Sequence, residues 1–184
     1  AVDRGEFIIM GFCEMGVFYF FFLLLGMEEA LVCYLTETKH MRDLAMTIAD
    51  YKVQLLSKFC EMVQPEIMWY GDDWGSQTNE MLPIDTWKET IKPATQKIYN
   101  CLKDYNIIVN QHSCGKIERL IPEMIEIGGD MWNPCQPCND LRKMKERYGK
   151  ELTFCGGLDS QFVLGNPEVS CDERSEEHTS ELQS

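Results

Sequence analysis

The residues with the clearest chemical potential in this chain are a histidine and a cysteine separated by one position. His112 and Cys114 follow the apolar, β-type run 107–109 and precede Gly115. Alternate residues of a strand point to the same face, so this imidazole and this thiol could hold one ion together. Imidazole and thiolate are common zinc ligands. The structural alternative is a hydrogen-bonded histidine beside a small buried thiol, because free cysteines are often buried.

Two neighbouring carboxylates, Asp72 and Asp73, follow another apolar run at 67–70. When two carboxylates lie close together in a partly dry pocket, the pKa of one is raised, which suits a general acid or a proton shuttle. We expect one of the pair to face substrate and the other to be structural, as a cap or an ion-pair partner. Trp74 and Gln77 come next and are expected to shape the same wall.

A C-x-x-C motif, formed by Cys135 and Cys138, follows a later apolar run. Such a pair can bind zinc or cycle between thiol and disulfide. Either thiol could join an ion held by His112 and Cys114 if the fold brings them together. A chain with nine cysteines also produces this spacing by chance, so these two are the weaker candidates for metal ligands.

Short apolar runs alternate with segments of helical periodicity. This alternation, with mostly continuous apolar strands, predicts an α/β fold with a parallel sheet. Since no dinucleotide-binding glycine motif is present, we favour part of a (β/α)8 barrel over a doubly wound sheet. The predicted strands are 7–10, 67–70, 107–109, 131–132 and 152–154; the predicted helices are about 44–63, 83–105, 117–127 and 139–148; and 17–25 is read as a buried helix or strand.

In such a barrel the segments that follow the strands meet at the C-terminal mouth, where active sites lie. We therefore predict one site built from strand ends. Asp159 follows two glycines that either allow a ligand to approach the backbone or form a tight turn. The residues expected to converge are Glu14, Asp72, Asp73, His112, Cys114, Cys135, Cys138 and Asp159.

Composition narrows the possible partners. The formal net charge of -13 argues against nucleic acids and anionic membrane surfaces. No secretory signal pattern opens the chain, and the odd number of cysteines fits a reducing, cytoplasmic location. The apolar run 17–25 is too short to cross a bilayer, which needs about 20 residues.

Taken together, the turns resemble the uroporphyrinogen decarboxylase superfamily. The resemblance extends over roughly residues 5–168, and the ordered set of turns is more specific than any single one. The matching motifs are GMEE at 26–29, GDDWGSQ at 71–77, Trp87 with IKP at 91–93, HSCG at 112–115, IGGD at 127–130, NP at 133–134 with QP at 136–137, and LTFCGGLD at 152–159.

The resemblance implies a (β/α)8 barrel and one of two activities. One branch of the superfamily decarboxylates uroporphyrinogen III without a metal or cofactor. The other transfers methyl groups between a small substrate, a corrinoid protein and a thiol, often with zinc held by His-x-Cys and a later cysteine. His112 and Cys114 match that zinc motif, and the third ligand is expected near the last strand, beyond Glu173. Asn133 and Gln136 belong to a matched turn and are expected to bind substrate.

The favoured function is therefore zinc-assisted methyl transfer, with zinc bound by this chain and a corrinoid carried by a partner protein. The first alternative is uroporphyrinogen III decarboxylation, although its many carboxylates call for arginines that the matched turns lack. The second is a non-catalytic barrel that binds a corrinoid protein. We assign residues 1–173 to about strands three to seven of the barrel. Residues 174–184 resemble a translated sequencing adapter and are treated as a non-native tail, and we expect the chain by itself to be inactive.

Overall fold

The computed structural model describes residues 3–157, which form five strands, seven α-helices and a short 3-10 helix. Strands and helices mostly alternate, as the sequence predicts. The strands are β1 Met10–Cys13, β2 Ile67–Gly71, β3 Ile108–His112, β4 Met131–Asn133 and β5 Thr153–Phe154. The helices are α1 Val17–Leu25, α2 Met27–Thr36, α3 Thr38–Val63, α4 Ile84–Thr90, α5 Lys92–Asp104, α6 Ile121–Glu126 and α7 Leu141–Tyr148, with the 3-10 helix at Glu118–Leu120.

The five strands form one parallel sheet in chain order, β1-β2-β3-β4-β5. Parallel neighbours joined through helices are the pattern of α/β folds. This mixed α/β architecture is consistent with part of a (β/α)8 barrel. Within residues 3–157 the sheet is open, with β1 and β5 at its edges.

The two faces of the sheet have different surroundings. Met68, Tyr70 and Val109 are completely buried on one face, beneath the helical layer in which α3 and α5 pack closely together. On the other face, Phe12 and Ile108 remain exposed although they are large and apolar. Since side chains alternate along a strand, the face with Phe12 is also the face of Trp69 and His112.

The helices follow from local sequence signals. In α5, Pro93 occupies the first turn, where its missing N–H is not needed, and Ile98 and Leu102 are buried one turn apart. The α7 helix begins after Asp140, whose carboxylate accepts a hydrogen bond from the Lys143 amide at 3.1 Å. This is a normal N-cap contact.

Several elements differ from the sequence prediction; α3, for example, begins at Thr38 rather than near residue 44. The first strand lies at Met10–Cys13 rather than 7–10, because polar Glu66 binds the Ile9 amide and pairing with β2 begins only at Met10. The predicted helix 83–105 is two helices that meet at Ile91. The separate helix α2 was not predicted.

No single helix in the described part of the chain is long and apolar enough to cross a membrane; α1 and α2 meet those criteria only as a pair bent by 117°. Asp159 and the segment 174–184 lie outside the described residues.

Candidate metal centre

Two loops that follow adjacent strands form the site. Gly71 at the end of β2 pairs with His112 at the end of β3, and the next amide, of Asp72, donates to the His112 carbonyl at 3.0 Å. Beyond that point the loops stay in contact, because the Lys116 amide donates to the Ser76 carbonyl at 2.8 Å. The register of β2 and β3 therefore places the first residues of both loops side by side.

Glycine is required where the two loops touch. A Cβ on Gly75 would lie 2.7 Å from the Cys114 carbonyl oxygen, and one on Gly115 would lie 2.4 Å from the Gly75 carbonyl carbon. Gly115 also has a φ of +79°, a conformation that residues with a side chain rarely adopt. These two glycines let the backbones approach closely enough to bring Asp73 beside Cys114.

Asp73, His112 and Cys114 present one carboxylate oxygen, one ring nitrogen and one sulfur, all within 4.8 Å of one another. His112 Nε2 lies 3.5 Å from Cys114 Sγ and 3.6 Å from Asp73 Oδ1. All three residues are half-buried. A nitrogen, sulfur and oxygen donor set at these separations fits zinc, which accepts all three and commonly leaves a fourth position for substrate.

The pKa of Cys114 is raised to about 11, first by burial and then by the negative charge of Asp73. Cys138 raises it further. Without a nearby cation the thiol therefore stays protonated at neutral pH. A bound divalent cation would reverse this balance, because it stabilises the thiolate and the carboxylate together.

Asp72 has a different role from Asp73. It is 1% exposed, and its carboxylate accepts hydrogen bonds from the Phe18 and Tyr19 amides at 3.1 and 2.8 Å and from the Trp74 indole at 3.0 Å. These contacts hold the first turn of α1 over the end of β2. Burial raises the pKa of Asp72 to about 6 despite the three donors.

A pocket of about 120 Å³ opens beside the cluster. Its walls are both aromatic and acidic, and the residues that line it in the described chain include no lysine or arginine. Trp69 and Tyr19 form apolar parts of the wall, while His112 and Asp73 connect it to the three-residue cluster. The lining residues are Glu14, Met15, Tyr19, Trp69, Gly71, Asp72, Asp73 and His112.

With this geometry established, comparison with protein-family models shows that the model described as uroporphyrinogen decarboxylase (URO-D) matches residues 3–181. The chain belongs to the uroporphyrinogen decarboxylase family. A search of curated proteins gave no match. The family match includes residues 174–181, so it does not separate the predicted tail from the rest of the chain.

Three of the residues predicted to bind substrate, Trp74, Gln77 and Gln136, are not among those that line the pocket. Trp74 is buried with its indole against Asp72, and Gln77 is exposed on the loop that follows β2. Gln136 accepts a hydrogen bond from the Gly115 amide at 2.6 Å and so holds the loop that bears Cys114. Among the substrate-binding candidates within residues 3–157, Glu14 alone lines the pocket.

The cysteines of the C-x-x-C motif are not part of the three-residue cluster. Cys135 is buried, directs its thiol to the Trp132 carbonyl at 3.3 Å, and has a pKa raised to about 12 by burial. Cys138 accepts a hydrogen bond from the Asn139 side chain at 3.4 Å. It lies near enough to Cys114 to influence the Cys114 pKa, so the two loops are close here.

Sequence reasoning missed two features of the site. Asp73 was assigned to catalysis and not to the metal, because the contact between its loop and the Cys114 loop depends on the packing of Gly75 against Gly115. Trp69 was also missed as a wall of the pocket. Strand alternation could have found Trp69, since it lies two residues before Gly71 on the same face of β2.

Proposed function

We propose that this family member is a zinc-assisted methyltransferase that moves a methyl group between a small substrate, a corrinoid protein and a thiol. The observation that supports this proposal is the cluster of Asp73, His112 and Cys114, whose three ligand atoms lie within 4.8 Å at the edge of a pocket. Zinc, when bound, would supply the positive charge that lets a thiol react as its thiolate at neutral pH.

In this proposal the residues around the pocket either bind the metal or position the pocket wall. His112, Cys114 and Asp73 would hold the ion, and the pocket beside them would admit the substrate thiol. Asp72 holds the first turn of α1, which carries Tyr19 in the wall of the pocket. In the overall reaction the substrate thiol would take the methyl group and form a sulfur–carbon bond. The cobalt–carbon bond would break with its electron pair left on the corrinoid, and the thiol proton would leave to solvent.

A metal-free role for His112 and Cys114 as a base and nucleophile is less consistent with the site. Such pairs need a cysteine whose pKa is lowered by positive charge. Here burial and the Asp73 carboxylate raise the Cys114 pKa to about 11. The same negative surroundings favour a bound cation.

The pocket also disfavours the decarboxylase alternative. Uroporphyrinogen presents many carboxylates, and binding them needs arginine or lysine. The described lining residues instead include the acidic Glu14, Asp72 and Asp73. The negative charge of these side chains disfavours a substrate that carries many carboxylates.

The test is a methyl-transfer assay on zinc-loaded protein that contains the complete barrel, with methylcobalamin as donor and either coenzyme M or uncharged 2-mercaptoethanol as acceptor. We expect thioether formation that Cys114→Ser and His112→Ala abolish. Cys33, on helix α2, belongs neither to the three-residue cluster nor to the pocket lining, so Cys33→Ala is the matched control and should retain activity. Decarboxylation of uroporphyrinogen III without methyl transfer would contradict the proposal, and corrinoid-protein binding without either reaction would indicate the non-catalytic alternative.

A further inference from the structure

We propose that Asn133 is a positioning residue that fixes His112 as its Nδ1–H tautomer and so directs the Nε2 lone pair toward Cys114 and Asp73. This inference deepens the proposed zinc site and rests on it for its function. Asn133 ends β4 directly beside His112 at the end of β3, as the strand register requires. Its Oδ1 lies 2.8 Å from His112 Nδ1.

The orientation of the Asn133 amide follows from a second neighbour. The Trp69 indole Nε1 lies 3.2 Å from the same atom of Asn133. An indole N–H can only donate, so the Asn133 atom that it faces must be the oxygen. The amide nitrogen then points toward the Cys155 sulfur at 4.0 Å, a weak acceptor.

This arrangement determines which ring nitrogen of His112 carries the proton. Because Asn133 Oδ1 is an acceptor only, His112 Nδ1 must carry the hydrogen in the neutral ring. Nε2 is then unprotonated, and it is the ring atom that lies 3.5 Å from Cys114 Sγ. A histidine that binds metal through one nitrogen commonly donates its other N–H to such an acceptor.

The donor that orients Asn133 is itself held in place. The Trp69 ring stacks on Phe12 with centroids 4.0 Å apart and contacts the His112 ring at 4.5 Å on the other side. Gly71 leaves the room that the indole needs, since a Cβ there would lie 2.5 Å from the Trp69 ring. The hydrogen bonds from Trp69 and His112 to Asn133 are therefore formed without a bound metal.

The first test reads the tautomer directly, in metal-free protein, by long-range ¹H–¹⁵N correlation of the histidine rings. The chain has three histidines, so His112 can be assigned with His112→Gln. We expect the Nδ1–H form in the wild type and in Asn133→Asp, which keeps an acceptor oxygen, and a shift toward Nε2–H in Asn133→Leu. A wild-type His112 in the Nε2–H form would overturn the inference without any variant.

The second test measures zinc affinity by competition with a chromophoric chelator. Asn133→Leu should weaken binding about 10–100-fold, the usual effect of losing a residue that orients a ligand, and Asn133→Asp should bind at least as tightly as the wild type. Asn100→Leu, the same change on the exposed face of α5, should leave the affinity unchanged.

The two tests separate this inference from the proposed function. Unchanged affinity in Asn133→Leu, or equal weakening in Asn133→Asp and Asn133→Leu, would overturn the positioning role. If the wild type binds no zinc, the proposed zinc site is refuted. The tautomer measured in metal-free protein would still decide whether Asn133 controls the position of the proton on His112.

Discussion

Asp73 and Cys114 are joined across two loops: the Asp73 Oδ1 accepts a hydrogen bond from the Cys114 backbone amide at 2.7 Å. The same carboxylate lies 3.6 Å from His112 Nε2. One oxygen therefore organises the loop that bears the thiol, while the carboxylate as a whole adds negative charge where a cation would bind. The two contributions can be separated by experiment.

The substitution Asp73→Asn keeps an oxygen that can accept from the Cys114 amide but removes the charge. If the carboxylate is a metal ligand, zinc affinity should fall by about 2 kcal/mol, or roughly 30-fold, with little change in thermal stability. Chelator competition and a melting curve measure the two effects. If Asp73→Asn melts at a lower temperature and binds zinc normally, Asp73 only supports the loop.

Zinc binding should depend on pH because Cys114 must lose its proton. With a pKa of about 11, the thiol is protonated over the ordinary pH range, so each bound zinc displaces one proton from it. Between pH 7.5 and 8.5 the affinity should rise about tenfold as this proton becomes easier to remove. Cys114→Ser should remove this pH dependence of the zinc affinity, and Cys33→Ala should retain it. A wild-type affinity that does not change with pH would show that the thiolate is not a ligand.

The contact between the loops can be weakened without touching a candidate ligand. In Gly75→Ala the new Cβ would meet the Cys114 carbonyl oxygen at 2.7 Å and the Gly115 carbonyl carbon at 2.8 Å, so backbone must move. We expect a loss of about 1–3 kcal/mol in unfolding free energy and weaker zinc binding.

The matched control for that change is Gly26→Ala. Nothing lies within 4 Å of a Cβ at Gly26, although its φ of +82° is strained for alanine. It should therefore lower stability through the backbone alone and leave zinc affinity unchanged. Equal loss of zinc affinity in both variants would mean that the loop contact does not form the site.

Asp72 should make stability depend on pH in the direction opposite to most carboxylates. Burial raises its pKa from 3.8 to about 6, so between these values the folded protein holds a proton that the unfolded chain has lost. Its contribution to stability is therefore greatest below pH 4 and decreases as pH rises to 6, by roughly 3 kcal/mol in total.

Urea unfolding of the metal-free protein from pH 4 to 7 tests this dependence. Asp72→Asn should be less stable than the wild type at pH 4, because one amide oxygen cannot serve three donors. The difference should shrink toward pH 7, whereas the exposed Asp104→Asn should show no such trend. If the wild type became more stable relative to Asp72→Asn as pH rises, the raised pKa of Asp72 would be contradicted.

The sequence was sufficient to predict the sheet and the strand ends that bear His112 and Cys114, because apolar runs and alternation report local structure. It did not reveal which groups meet across loops. The pairing of Asp73 with Cys114 depends on two glycines forty residues apart, and the contact of Asn133 with His112 depends on strand register. Such contacts are tertiary, and no pattern within one segment specifies them.

The measurement that tests the central claim most directly is the zinc content of the purified protein after reconstitution and removal of free metal, with X-ray absorption at the zinc edge. We predict about one zinc per chain with at least one sulfur ligand and the rest nitrogen or oxygen, and loss of zinc in His112→Ala and in Cys114→Ala. A wild type without zinc, or zinc retained without sulfur in Cys114→Ala, would contradict the account.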